Sequence, residues 1–163
     1  MFNTYLQIEP IKGESTDDKH KNWIEVLSFS HGLAQHGSGA ISGGATRVAG
    51  KVDVQEFQIT KRLDLSSPYL NKNCCLGKHL DKATIEICKS TGVNKEVFMK
   101  YTFENVLITS VNIGGGQGQE FPMESVSFSF GKIKWEYNHL DNKSGAKVAN
   151  MTATHDLVQN ITS

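Results

Sequence analysis

The feature that most constrains this chain is its alternation. Val126, Phe128 and Phe130 alternate strictly with polar residues, as do Ile133, Trp135 and Tyr137, with Gly131 between the two runs as a bend. A period of two places side chains on opposite faces of a pleated strand, so each run is read as half-buried β-structure, and together they form a final strand pair. The same pattern recurs upstream. Tyr5 to Ile8 forms a first strand and Asn22 to Gly32 a second. In that second strand Trp23, Glu25, Leu27, Phe29 and His31 fall on one face, and Ile24, Val26, Ser28 and Ser30 on the other. Val52 to Val54 starts a third strand that Phe57 and Ile59 continue with shifted phase, which a β-bulge near Glu56 would explain. Ala83 to Cys88 is a fourth, and Val97 to Val111 is one long strand or a hairpin of two.

Only one segment has helical grammar. Ser67 is placed to cap, Pro68 sits at the first helical position, Leu70 and Cys74 are four apart, and Gly77 can close the end. A single short helix, about 67–76, among seven or more strands predicts a mainly β fold, a small barrel or sandwich of two sheets with the helix on its flank. The 163 residues fit one domain spanning 1–163. The strand Asn22 to Phe29 carries apolar residues on both faces. In an isolated subunit one face should be wet, so a second cover, the helix or another subunit, is expected.

Composition then narrows function. Lysine plus arginine and aspartate plus glutamate number 17 each, so the formal charge is zero. No general attraction to nucleic acid or to an anionic membrane follows. No apolar run reaches the ~18 residues of a membrane span. The start, MFNTYLQIEPIKGE, lacks the basic and apolar regions of a cleaved signal, so a cytoplasmic origin is expected, with any export by another route. Three cysteines, Cys74, Cys75 and Cys88, are read as reduced, buried thiols, because the count is odd and two are adjacent.

The search for chemistry finds no site. Ala45 to Lys51 (ATRVAGK) nearly matches a phosphate loop, but Val52 stands where the metal-binding hydroxyl belongs, and a strand follows. The run Gly114, Gly115, Gly116 and Gly118 opens no helix and is read as a hairpin loop. None of the histidines, His20, His31, His36, His79, His139 and His155, makes HExxH, and there is no CxxC. Ser42 lacks the nucleophile elbow a triad with His155 and Asp156 would need. Asp17 and Asp18, beside lysines in GESTDDKHK, are read as a solvated loop. No catalytic residue, cofactor or metal ligand is assigned, and a structural or binding role is expected rather than an enzyme.

The segment Gly13 to Gly32, GESTDDKHKNWIEVLSFSHG, resembles the N-terminal signature of the haemolysin-coregulated protein (Hcp) family. The likeness continues in order through Gly50-Lys51-Val52 and Ile59-Thr60-Lys61. It runs on through Ser67-Pro68 to Gly77-Lys78-His79, then Val106 to Gly116, and finally Pro122, Glu124 and the run to Tyr137. Many members end in a Gly-Trp-Asp-like segment, where this chain has Thr154-His155-Asp156. The resemblance implies a phage tail-tube-like fold and homohexameric rings stacked into the inner tube of type VI secretion. It implies a spike protein, a contractile sheath and a baseplate as partners, with small effector proteins carried in the lumen. On that reading Ser28 and Ser30 are candidates to line the channel. Trp23, Glu25, Leu27, Phe29, Gly43, Gly44, Arg47, Gly114, Gly115 and Gly116 are candidates for contacts between subunits, with the Gly37–Gly50 loop reaching a neighbour. The alternative is a secreted effector or host-binding domain that uses the same fold without a tube role; a third reading is a hydrolase whose site escapes motif recognition.

Overall fold

The computed structural model describes residues 1–36, 50–91, 94–141 and 143–163. The strands in chain order are β1 (Phe2–Ile8), β2 (Ile24–Val26), β3 (Ser28–Ser30), β4 (Leu33–Ala34), β5 (Asp53–Val54) and β6 (Phe57–Arg62). After helix α1 (Ser67–Leu76) come β7 (His79–Thr91), β8 (Asn94–Gly114), β9 (Met123–Ser129), β10 (Lys132–Leu140), β11 (Lys147–Asp156) and β12 (Ile161–Thr162). The stretch read as one long strand or a hairpin is a single strand of 21 residues, β8.

β8 organises the molecule because it belongs to two sheets. Its first half pairs β10 from Met99 to Glu104, and its second half pairs β9 from Leu107 to Gly114. Between them Asn105 adopts a left-handed conformation (φ 54°), which bends the strand. The hairpin from β9 to β10 follows the bend: the Gly131 N–H donates to the Glu104 carbonyl at 2.9 Å. One sheet therefore runs β12-β11-β10-β8-β7-β1-β2, and the other runs β3-β6-β9-β8. β4 and β5 form a separate small ribbon. All pairings among the described residues are antiparallel.

The inward faces of the two sheets meet through aromatic rings. Phe57 of β6 lies 5.0 Å from Phe103 of β8, and Phe128 of β9 lies 5.1 Å from the same ring. Leu6, Ile8, Ile24, Ile59, Ile85 and Ile133 fill the space around them. Burying side chains of this size gives roughly 1.5–3 kcal/mol each, and this is what holds the sheets together.

Several expectations need correction. The segment Asn22 to Gly32 is not one strand. Ile24 and Val26 point into the core from β2, which pairs β1, but at Leu27 the chain passes to the other sheet and β3 pairs β6. The Leu27 N–H donates to the Thr60 carbonyl at 2.8 Å. Leu27 and Ser28 both face outward, so the phase slips and Phe29 turns inward onto Phe57. Ser28 and Ser30 thus do not share a face with Ile24 and Val26. The two apparently dry faces come from this change of sheet, not from a missing partner. The shift near Glu56 is likewise a break between β5 and β6 and not a bulge within one strand.

The helix spans the expected residues, and Gly77 closes it at φ 58°, with its N–H on the Cys74 carbonyl. Its N-cap is Ser66, without a side-chain capping bond, because the Ser66 hydroxyl donates to Asp64; the Ser67 hydroxyl, expected to cap, donates to Glu124. The pair β9–β10 is not final. β11 and β12 follow, and the polar sequence KVANMTATHD gave no alternating signal because most of β11 is exposed on both faces. Of the cysteines only Cys88 is buried; Cys74 is half-buried and Cys75 exposed.

Candidate functional site: a hydroxyl-lined sheet face

The outward face of the sheet β3-β6-β9-β8 carries the clearest chemical pattern in the molecule. Directly opposed residues in antiparallel strands share a face. Ser28 opposes Thr60, Thr60 opposes Ser125, and Ser125 opposes Asn112. In the next row Ser30 opposes Gln58, Gln58 opposes Ser127, and Ser127 opposes Ser110. These two rows of four hold five serines, one threonine and two amides, with no charge and no large apolar group. All eight are exposed or half-buried. Charge returns only at the ends of the strands, with Arg62 at one end and Glu56 at the other, where the Thr109 hydroxyl donates to Glu56 at 2.8 Å.

Such a face offers hydrogen-bond donors and acceptors at close, regular intervals, and short side chains leave it flat. It is a wall, with no nucleophile–base pair and no cluster of acids that could do chemistry. Among the described residues no three His, Cys, Asp or Glu side chains gather to hold a metal ion.

The sequence search found two members of this face, Ser28 and Ser30. It missed Gln58, Ser110 and Ser127, which lie within strands that it did identify, and Thr60, Asn112 and Ser125, which lie one residue beyond the ends it gave those strands. Strand alternation shows which residues share a face of one strand, but only the register shows which strands are neighbours.

The interface candidates are scattered. Trp23 is half-buried and meets the His20 ring edge-on at 4.9 Å. Glu25 and Leu27 are exposed, and Phe29 packs on the core. Gly114, Gly115 and Gly116 lie exposed at and just past the end of β8. Gly43, Gly44, Arg47 and the rest of the loop over 37–49 are outside the described residues.

The opposite sheet is built on another principle. On its outward face Glu86 opposes Lys100, and Lys100 opposes Glu136; Lys82 opposes Glu104, and Glu104 opposes Lys132. Over β1 and β7 this face is strapped by residues 13–23. The Gly13 N–H donates to the Asn22 carbonyl and the Asn22 N–H to the Ser15 carbonyl. A Cβ on Gly13 would stand 2.5 Å from the Trp23 carbonyl oxygen, which explains a glycine there.

The anchor of this strap is His20, 1% exposed. Its Nδ1 lies 2.7 Å from Asp17, its Nε2 lies 2.9 Å from Glu86, and its ring stacks on Tyr5 at 4.3 Å. Burial alone would lower its pKa. The contacts with Cys88, Glu86 and Asp17 outweigh that and raise it to about 10, so the ring is an imidazolium donating from both nitrogens. Burial acts to raise Asp17, but hydrogen bonds from Lys95 and His20 hold it at about 2. Glu86 is held low by His20 and Lys100 against its own burial. Asp17 is therefore not a solvated loop residue. The i, i+3 spacing of Asp17 and His20 was a visible signal, but their partners Glu86 and Lys95 come from distant strands.

These features define a class: a two-sheet, helix-flanked β protein whose most distinctive surface is a neutral, hydroxyl-rich wall. The family model described as "Type VI secretion system effector, Hcp" matches residues 5–137. Protein hcp1 of Pseudomonas aeruginosa is 38% identical over 133 residues, covering 82% of this chain and 81% of that protein. A solved structure of a type six secretion system protein superposes with a TM-score of 0.93 at 31% identity, covering both chains completely. Hcp1 from Salmonella typhimurium superposes with a TM-score of 0.80 at 33% identity, over 99% of each chain. The chain belongs to the Hcp family of type VI secretion proteins.

Proposed function

We propose that this chain is the inner-tube subunit of a type VI secretion system. Six copies close into a ring, rings stack into a tube, and small effector proteins travel in the lumen. The tube takes a spike protein at its tip and a contractile sheath around it, and assembles from a baseplate. The role is structural, not enzymatic, and export proceeds through the secretion machine. No helix among the described residues is long and apolar enough to cross a membrane.

The observation that carries this reading is the neutral wall of β3-β6-β9-β8. A channel that holds cargo and then releases it needs many weak polar contacts and no deep pocket or strong charge. Ser28 and Ser30 lie on this wall together with six further hydroxyl and amide residues. Facing the lumen, they would present cargo with replaceable hydrogen bonds that exchange readily with water.

Two measurements test it. Negative-stain microscopy with size-exclusion chromatography should show annular particles; single chains at high micromolar concentration would overturn the tube reading and favour a lone binding domain. In the ring, Ser30→Trp should leave assembly intact while reducing co-purification of a cognate effector at least tenfold. Unchanged retention would remove this wall from the lumen.

A further inference from the structure

We infer that His31 is an acid-sensitive latch on the β4–β5 ribbon: while its ring is neutral the ribbon stays closed against the body of the molecule, and protonation releases it with the two sheets still folded. Every group involved belongs to one chain, so the inference stands apart from the ring reading.

The ribbon is lightly attached. β4 and β5 pair only with each other, through Leu33–Val54 and Ala34–Asp53, and neither joins the two sheets among the described residues. Val54 is half-buried against the core, whereas Leu33 is 51% exposed. At the base of the ribbon the Gln55 N–H donates to the Gly32 carbonyl at 3.0 Å, and His31 directly precedes that closure. Two strands this short have little stability of their own. The packing at their base therefore decides whether they stay docked.

His31 is fitted into that base by apolar contact. Its ring stacks on Phe57 of β6 at 5.5 Å and tilts against Phe130, between β9 and β10, at 5.8 Å. Both phenylalanines are buried core residues. The Nδ1 and Nε2 atoms of His31 are buried too, and neither makes a hydrogen bond among the described residues. A phenylalanine or leucine would fill this place without leaving two polar atoms unpaired. Packing thus gives no reason for a histidine. What distinguishes histidine is its uptake of a proton near neutral pH.

Nothing at the joint welcomes that proton. β6 and the β9–β10 turn present aromatic rings, and the β5–β6 junction presents the backbone of Gln55 and Glu56. The Glu56 carboxylate is exposed and accepts from the Thr109 hydroxyl at 2.8 Å. Burial therefore lowers the pKa of the ring below its ordinary 6.5, and the nearby backbone only partly opposes it. His20 has the opposite setting: enclosed with Asp17 and Glu86, it stays charged. In a released ribbon the His31 ring meets water and regains its ordinary value. The closed form holds its full advantage above pH 6.5 and loses it as pH falls from there through the lower value of the closed ring.

Hydrogen exchange on the full chain, read by mass spectrometry and corrected for the intrinsic rate at each pH, tests the latch. Between about pH 7 and about pH 5 the segments 32–36 and 50–55 should lose protection about tenfold, the effect of one unit of pKa difference, while β7 and β8 keep theirs. Constant protection in the ribbon would sink the idea, as would a loss shared equally by β7 and β8. His31→Phe keeps the aromatic packing and removes the titration, so its ribbon should stay protected across the same range. A loss in that variant equal to that of the natural chain would also rule the latch out. Should His31→Phe fail to fold, the His31 ring proton resonances of the natural chain still decide. They should titrate with a midpoint below 6.5, and a midpoint at or above it overturns the inference.

Discussion

The two sheets dispose of charge in opposite ways. In β3-β6-β9-β8 the charge is inside. Lys61 and Glu124 are opposed across β6 and β9, both fully buried, 2.7 Å apart. Lys61 also reaches Asp64 at 2.8 Å, and the Ser67 hydroxyl at the start of α1 donates to Glu124 at 2.7 Å. The outward rows of that sheet are neutral. In the larger sheet the core side is apolar and the outward side is a lattice of alternating charges, with His20 pinned among them. A buried ion pair tied to a helix start fixes one geometry; an outer charge lattice keeps a surface hydrated. The neutral wall therefore does not reflect a chain short of charge. Charge has been placed elsewhere.

Breaking the inner pair should have the largest effect on stability. Glu124→Leu leaves the Lys61 ammonium buried beside Asp64 alone, and such losses cost about 3–5 kcal/mol. The double variant Lys61→Met, Glu124→Leu should recover most of that, since replacing both charges by apolar groups is often neutral. Urea unfolding of the two variants decides whether the pair stabilises the small sheet or only specifies its geometry.

The strap comes next. His20→Ala should cost about 3 kcal/mol, because Asp17 and Glu86 lose their shared partner. Its pH dependence has a defined sign. His20 titrates higher in the folded protein than its ordinary 6.5, so its contribution is complete below pH 6.5 and is lost as pH rises through about 10. Asp17 titrates below its ordinary 3.8, so its contribution is complete above that value and is lost as pH falls through about 2. The stability gap between the natural chain and His20→Ala should be widest between about pH 4 and 6.5 and narrow on the alkaline side. A gap that is flat from about pH 6 to 10 would mean the ring is not charged.

The outer lattice should show the smallest effect. Lys132→Ala removes a contact of 3.8 Å to Glu104, both ends well exposed, and should change stability by less than about 0.5 kcal/mol. A larger loss would mean that the lattice fixes structure as well as hydrating the surface.

How much of this was legible beforehand depended on burial. β9 and β10 were readable because Val126, Phe128, Phe130 and Ile133 are buried on one face, and burial is what writes a period of two into a sequence. β11 was not, because a strand exposed on both faces has no apolar side to mark. The strand around Leu27 was misread for a related reason: a change of sheet slips the phase by one residue, and a local pattern records only alternation. The helix span was legible, but Ser67 is its first residue and not its cap, and the Ser67 hydroxyl serves Glu124, which lies 57 residues away.

The sequence by itself determined that the chain is mainly β with one helix at Ser67–Leu76, that it lacks a recognisable catalytic motif, and which family it resembles. These depend on short-range periodicity, residue type and ordered motifs, all of which are local. Tertiary structure alone decided that β8 is shared by two sheets, that eight hydroxyl and amide residues line up into one neutral wall, and that His20 meets Glu86. Those depend on register between strands far apart in the chain, and register is set by how the inward faces pack against each other.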